Sequence, residues 1–276
     1  LKSKLLFKIS GDPIIDHVYR TAKSVSSNEI ICVLGDSPKE LLDFVKKNKL
    51  KTVLQKKPRG TADAVKIAIE SKSIKNNDKI LILCGDVPFI SPKSLKAIIK
   101  KTNDNDICLG TTLLENPSGY GRIVRQNNNI IKIVEEKDAN NKIKKINEVN
   151  TGILCIKEGV LRKYIQKIKN NNNQKEYYLT DLVSLLSESK QKITSYKISN
   201  ELETMGINSK KDLVKLERKL LIEIATKLLD KGVLIRDVLR TDIKGNLKVQ
   251  KDVEIDINCI FEDNVSIGEN TIIGHN

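Results

Sequence analysis

Along the first hundred residues, short apolar runs alternate with longer stretches in which apolar positions recur every three or four residues. "EIICVLGD" has the pattern of a strand, and "PKELLDFVKKN" that of a helix with Pro38 at its head. "KTVLQ" and "TADAVKIAIESK" repeat the pair. "KILILCGD" is almost continuously apolar, as in a strand covered on both faces, and the helical "SPKSLKAIIKK" follows it, with Ser91 as N-cap and Pro92 in the first turn. This alternation predicts an α/β fold with a mostly parallel sheet, whose ligands bind beyond the carboxyl ends of its strands.

From Asp106 to Ile156 the pattern changes. "DICLGTTLL", "GRIVR", "IIKIVEEK" and "EVNTGILCI" read as strands without long helices between them, a β-rich elaboration of the sheet. "EYYLTDLVSLLSES" predicts a return to helix. The longest helical pattern is "SKKDLVKLERKLLIEIATKLLDKG", with Leu213, Leu216, Leu220, Ile224 and Leu228 on one face and Gly232 as its stop, long enough to bridge two domains. Beyond it a period of six begins. Ile243, Val249, Ile255, Phe261, Ile267 and Ile273 form one row; Leu247, Val253, Cys259, Val265 and Thr271 form a second. Such periodicity predicts the first turns of a parallel β-helix built from hexapeptides. A solenoid that stops as it begins would expose its core, and the first residue is Leu rather than Met, so a piece of a longer chain is expected.

Composition narrows the class. In 276 residues no apolar run is long enough to span a bilayer, and the N-terminus has no secretory pattern. Five scattered cysteines without a C-x-x-C pair point to small buried hydrophobes in a reducing, cytoplasmic setting. The net charge of +14 raises the question of nucleic acid, but the lysines are spread over every segment with few aromatics among them, which argues against that partner. His17 and His275 read as structural or solvent-facing.

Asp86, directly after Gly85 at the end of "ILILCGD", is the first candidate for chemistry. A carboxylate gains nothing by leaving water unless a cation or donors meet it. A plain turn, with Asp86 bonding its own backbone, explains it equally well.

Seven stretches, in order and with matching spacing, resemble a known family. They are "LQKKPRGTADAV", "GDVPFI", "NPSGYGRIVR", "IVEEKDA", "NEVNTGI", "EYYLTD" and "MGINS", followed by the hexapeptide onset. The family is that of the bifunctional bacterial N-acetylglucosamine-1-phosphate uridylyltransferase / glucosamine-1-phosphate acetyltransferase, and the resemblance runs from Lys4 to the last residue. It implies a Rossmann-like nucleotidyltransferase domain with a mixed, mostly parallel sheet over 1–208, a helical arm over 209–232, and the start of a left-handed β-helix acetyltransferase domain over 233–276. The implied reaction converts UTP and N-acetylglucosamine 1-phosphate to UDP-N-acetylglucosamine and pyrophosphate with Mg²⁺, for cell-wall synthesis. The longer parent would also use acetyl-CoA and glucosamine 1-phosphate, and would assemble as a homotrimer through the β-helix.

Residue by residue, the resemblance implies that Asp86 and Asn208 bind the metal and that Lys4 pairs with phosphate, Lys4 and Asp86 being catalytic. By itself Asn208 reads more simply as the N-cap of the following helix. Gln55, Gly60 and Thr61 match residues that read uracil; an amide offers donor and acceptor to the base edge, and Gly60 permits close backbone approach. Without the resemblance these would be a polar loop capped by Thr61. Cys84 and Gly85 stand where the family contacts nucleotide largely through backbone, with Cys84 in place of a frequent Tyr. Gly121, Glu135 and Asn150 match the sugar side, although Glu135 alone would be an ordinary surface charge. Lys175 replaces a Gly common before "EYYLTD". The resemblance also implies a strand and a glycine-rich loop with a catalytic Arg ahead of Lys4, and an acetyltransferase site further along the β-helix. Two alternatives are a sugar-1-phosphate nucleotidyltransferase of other specificity and a non-catalytic trimeric sensor of sugar nucleotides.

Overall fold

The structure is a computed structural model and describes residues 3–26, 29–35, 37, 39–71 and 78–275; Pro38 lies outside the described residues. A two-residue hairpin, β1 (Lys8–Ile9) and β2 (Asp12–Pro13), leads into α1 (Ile14–Val25). Then β3 (Ile31–Leu34), α2 (Lys39–Lys47), β4 (Lys51–Leu54), α3 (Thr61–Glu70), β5 (Lys79–Ile82) and α4 (Pro92–Lys101) alternate as predicted. Ser91 caps α4, its hydroxyl accepting from the Ser94 N–H, and Pro92 opens the helix.

The β-rich stretch comprises β6 (Ile107–Leu113), β7 (Arg122–Gln126), β8 (Asn129–Val134), the short helix α5 (Asn141–Lys144) and β9 (Glu148–Lys157). It is followed by α6 (Glu158–Ile165), α7 (Asp181–Glu188) and β10 (Ile193–Lys197). The main sheet runs β10-β6-β9-β7-β8, with β5 also against β9. It is mixed, as expected, but not mostly parallel. β10 is parallel to β6, whereas β9 is antiparallel to β5, β6 and β7, and β7 to β8. The parallel pair β3–β4 forms a separate sheet among the described residues. The apolar run of β9 reflects burial between neighbours on both edges and helices on its faces, and burial leaves the same pattern whichever way the neighbours run. A second difference is local. "EYYLT" is not helical; α7 starts at Asp181, and Tyr177 to Thr180 form an irregular segment that packs against the head of α3.

The long helix α8 (Lys210–Leu229) begins with a capping box in which the Ser209 hydroxyl accepts from the Asp212 N–H and the Asp212 carboxylate accepts from the Ser209 N–H. Ser209, not Asn208, is therefore the cap. Its inward face is Leu216, Leu221, Ala225 and Leu228, with Leu213, Leu220 and Ile224 at the flanks. Leu216 packs with Ile9, Ile14, Leu202 and Ile207, while Leu221, Ala225 and Leu228 pack with Val233, Ile235, Ile243, Val253 and Ile255. One helix thus shares its apolar face between the two ends of the chain. It stops where Gly232 takes φ +89° and the Val233 N–H bonds back to the Leu228 carbonyl.

Beyond it lie β11 (Leu234–Ile235), β12 (Thr241–Val249), β13 (Glu254–Ile255), β14 (Cys259–Ile267) and β15 (Ile272–Ile273). β12 pairs with β14, and β13 with both β11 and β15, all in parallel. Asn246 meets Asn264 across a separation of 18 residues, three six-residue repeats. Members of both hexapeptide rows, Ile243, Ile255, Ile267, Val253 and Cys259, are buried in one core, with Leu247, Val249, Phe261, Val265 and Ile273 packed against it. No helix among the described residues is long and apolar enough to cross a membrane.

Candidate functional site

Three segments far apart in sequence meet beyond β5. The chain leaves β5 at Ile82 and turns through Cys84 and Gly85 to Asp86, whose backbone carbonyl accepts from the Ile207 N–H at 2.9 Å. That bond lays "MGINS" alongside "GDVP" and brings Asn208 next to Asp86. Lys4 enters from a 3-10 turn over Lys4–Leu6 whose N-cap is Ser3. Its ammonium donates to Asp86 Oδ2 and to Asn208 Oδ1, at 2.7 Å each. The two proposed metal ligands and the proposed phosphate-pairing Lys are thus one cluster. Its oxygens already converge on a cation, and a carboxylate with an amide carbonyl suits a hard divalent ion that keeps most of its waters. No group of three or more His, Cys, Asp or Glu able to hold a metal occurs among the described residues, so an all-protein cage is absent there. The donor set therefore fits a hard divalent ion bound chiefly by water and substrate oxygens.

On a second side, Gln55 is buried where β4 ends, and its Nε2 donates to the Gly60 carbonyl at 3.2 Å and to Asp63 Oδ2 at 2.8 Å. Gly60 holds φ +114° before α3, and a Cβ there would lie 2.5 Å from the Tyr177 carbonyl oxygen and 2.8 Å from its nitrogen. Glycine is required at 60 by the protein's own backbone, a different reason from the approach of a ligand. Thr61 is the first residue of α3 rather than its cap; its Oγ1 accepts from the Leu179 N–H at 3.0 Å. Gln55, Gly60 and Thr61 are brought together, with the Tyr177–Leu179 segment as their backing.

On the third side, Gly121 accepts the Asn150 N–H at 2.8 Å through its carbonyl, and a Cβ on Gly121 would stand 3.3 Å from Glu135 Oε2. The trio expected on the sugar side, Gly121, Glu135 and Asn150, is contiguous. Glu135 Oε1 accepts from the Thr180 hydroxyl at 2.8 Å. Burial raises the Glu135 carboxyl above the ordinary range, and the Thr180 bond opposes this in part. Asp181 is raised as well, by burial first and the Glu135 charge second. Cys84 stands between the Lys4–Asp86 corner and Glu135, whose charges all act on it. Its thiol donates to the Gly152 carbonyl at 3.7 Å, and burial, reinforced by the Asp86 charge, pushes it up to about 12. It stays a neutral thiol filling the space that the missing Cβ of Gly152 leaves. Gly85 has only ordinary contacts with Leu5 and Ile15 around it.

Because the folded-state value of Glu135 lies above the unfolded one, its stabilising contribution is complete below the ordinary Glu range and is lost as pH rises through the raised value. Glu135→Gln should remove that dependence. Urea midpoints of variant and wild type are expected to diverge in the variant's favour as pH rises from the ordinary Glu range towards neutrality. Midpoints that stay parallel over this interval would contradict the burial of the charge.

Three groups with no sequence-based role are part of the arrangement. Thr180 holds Glu135; the Tyr120 ring lies beside the Gly206 backbone, where burial raises its phenol; Arg122 is buried behind Gly121. All lie inside motifs already singled out, and a neutral hydroxyl beside a carboxylate leaves no periodic signal by which to find it. Lys175 keeps φ +57°, the left-handed region where glycine is unstrained, its turn held by the Asn172 side chain accepting from the Glu176 N–H. The loop before "EYYLTD" thus has a glycine-type backbone without the glycine. His17 Nε2 lies 3.0 Å from the Ile9 carbonyl with its ring edge-on to Phe89, and His275 is exposed beside Asp256.

Comparison with known proteins identifies the family and the fold. The family model described as nucleotidyl transferase matches residues 1–202. Among curated relatives, the bifunctional protein GlmU of Francisella tularensis subsp. novicida is 39% identical over 268 residues, which is 97% of this chain and 58% of that protein. The GlmU of Francisella tularensis subsp. tularensis matches to the same extent. The chain therefore spans somewhat over half the length of the relatives it matches. Among solved structures, a UDP-glucose pyrophosphorylase complexed with UDP-glucose superposes with a TM-score of 0.62 at 17% identity, over 79% of this chain and 89% of the other. A CMP:2-keto-3-deoxy-manno-octonic acid synthetase complexed with CTP gives 0.58 at 19% identity, over 80% and 92%. At such identities these likenesses show the Rossmann-like fold alone.

Proposed function

The chain belongs to the nucleotidyl transferase family, and within that family we propose that it carries the uridylyltransferase site for N-acetylglucosamine 1-phosphate. The observation that carries this reading is the triad of Lys4, Asp86 and Asn208 at 2.7 Å contacts, facing Gly121, Glu135 and Asn150 across Cys84. In the proposed reaction an oxygen of the sugar phosphate bonds to the α-phosphorus of UTP, and the bond to pyrophosphate breaks. Asp86 and Asn208 would hold Mg²⁺, which supplies charge neutralisation on the phosphates. Lys4 adds a fixed positive charge in the same corner. Gln55 would meet the uracil edge, with Gly60 and Thr61 forming the wall beside it. Glu135 and Asn150 offer acceptors and a donor to hydroxyl and acetamido groups, and the neutral Cys84 thiol takes no part in covalent chemistry.

The C-terminal coils, with their 18-residue register, are proposed as the first turns of a left-handed parallel β-helix, and α8 as the arm that joins it to the catalytic domain. The 39% identity to GlmU proteins supports a parent that also transfers an acetyl group from acetyl-CoA to glucosamine 1-phosphate, assembles as a homotrimer through the β-helix, and works in the cytoplasm. Light scattering of the full-length protein tests the trimer, and a monomer at micromolar concentration would remove it.

Pyrophosphate release from a matrix of nucleoside triphosphates and sugar 1-phosphates tests the catalytic reading. The pair UTP and N-acetylglucosamine 1-phosphate should exceed every other combination, and the activity should disappear in EDTA. Preference for another sugar phosphate would move the chain elsewhere in the family. Binding of UDP-N-acetylglucosamine without turnover of any pair by the full-length protein would favour a sensor.

A further inference from the structure

Arg122 is the largest of the fully buried side chains, with 1% of its surface exposed. One terminal nitrogen of its guanidinium donates to the Tyr120 carbonyl, and the other donates to Glu136 Oε2 at 2.7 Å. The same Glu136 oxygen accepts from the Gly119 N–H at 3.3 Å. Arg122 and Glu136 therefore grip the Gly119–Tyr120 turn from both sides. Register explains what this does. Arg122 lies opposite Val134 in the β7–β8 pair, so one step further Gly121 lies opposite Glu135, past the last ladder bond of the strands. In place of that ladder, the ion pair holds the strand ends together where Gly121 and Glu135 approach each other.

The arrangement is costly for a core position. Arg122 Nε is buried and has no partner among the described residues. Burying the guanidinium costs desolvation that an ion pair with the partly exposed Glu136 offsets only in part, so it is poorly explained as a stability device. Its distinguishing property is a planar fork that fixes two acceptors at once. Resting on the function proposed above for what the turn reads, we infer that Arg122 is a positioning residue: paired with Glu136, it sets the separation of Gly121 and Glu135 and so determines affinity for the sugar half of the nucleotide sugar, with little effect on the uridine half.

Arg122→Lys retains charge and most of the volume but loses the fork, while Glu136→Gln leaves the guanidinium in place. Both go into the full-length protein, with thermal melting to establish folding. Amide exchange at Gly119 and Asn150 should accelerate in each variant. Affinity for UDP-N-acetylglucosamine should fall roughly 10-fold, while that for UTP changes less than about 3-fold. The double variant should lose no more than the worse single, as expected for two members of one contact. If Arg122→Lys does not fold, Glu136→Gln carries the same comparison. Unchanged exchange at both amides would overturn the inference, as would equal weakening of both ligands, which marks a merely structural role. Should the wild type fail to bind the nucleotide sugar, the proposed function falls, and exchange in Glu136→Gln still decides whether the clamp exists.

Discussion

Asp86→Ala in the full-length protein is expected to lower uridylyl transfer by roughly 10³-fold or more, corresponding to about 4 kcal/mol of transition-state stabilisation. Among the described residues, two side-chain oxygens, Asp86 Oδ2 and Asn208 Oδ1, converge on the Lys4 ammonium, and Asp86 is the charged one. Removing it leaves an amide carbonyl, too weak a ligand for a divalent ion, and leaves Lys4 without its ion-pair partner. Asn208→Ala should be milder, since it removes a neutral donor. Manganese binding followed by electron paramagnetic resonance gives a second readout, and affinity should drop in the same order, Asp86→Ala more than Asn208→Ala. An Asp86→Ala enzyme with unchanged turnover and tight UTP binding in EDTA would dispose of the metal assignment.

Gly60→Ala is expected to cost on the order of 3 kcal/mol of stability and to abolish UTP binding. Two effects combine. The backbone at φ +114° is strained for any L side chain, and the new Cβ would lie 2.5 Å from the Tyr177 carbonyl oxygen, so main chain must move. The same neighbourhood carries the bond from the Tyr177 N–H to the Arg59 carbonyl and that from the Ala62 N–H to the Tyr177 carbonyl, which join α3 to the segment holding Thr61 and, through Thr180, Glu135. Displacement there reaches both the base side and the sugar side. Gly159→Ala is the control: it lies in α6 with nothing within 4 Å of its added Cβ, and should stabilise by about 0.5 kcal/mol. Urea unfolding and calorimetric titration with UTP measure both. A Gly60→Ala protein as stable as wild type would show that the Tyr177 contact is not fixed.

Part of this protein can be read from the chain because the signal is local. Ser91 and Pro92 open α4, and Gly232 closes α8, because caps and stops are decided within one turn. The two hexapeptide rows lie in one core because a coil that closes every 18 residues returns the same positions to the inside. The site residues are legible only through the ordered resemblance of seven motifs, since Asp86 by itself is a turn residue and Glu135 a surface charge. The direction of the β9 pairings is not legible, because burial writes the same apolar run for either direction. In the sequence Asn208 and Ser209 both suit the cap of α8, and the capping box that Ser209 and Asp212 close between themselves assigns it to Ser209. Glycine at 60 answers to Tyr177, Lys4 reaches Asn208 across 204 positions, and the Arg122–Glu136 grip depends on strand register. Propensity, capping and period act within a few residues, so most helices, strands and coils can be read along the chain; "EYYLT", held against α3 by tertiary bonds, cannot. Which carboxylate meets which cation depends instead on the packed fold, because hydrogen bonds and Coulomb contacts act over a few ångströms of space and are indifferent to distance along the chain.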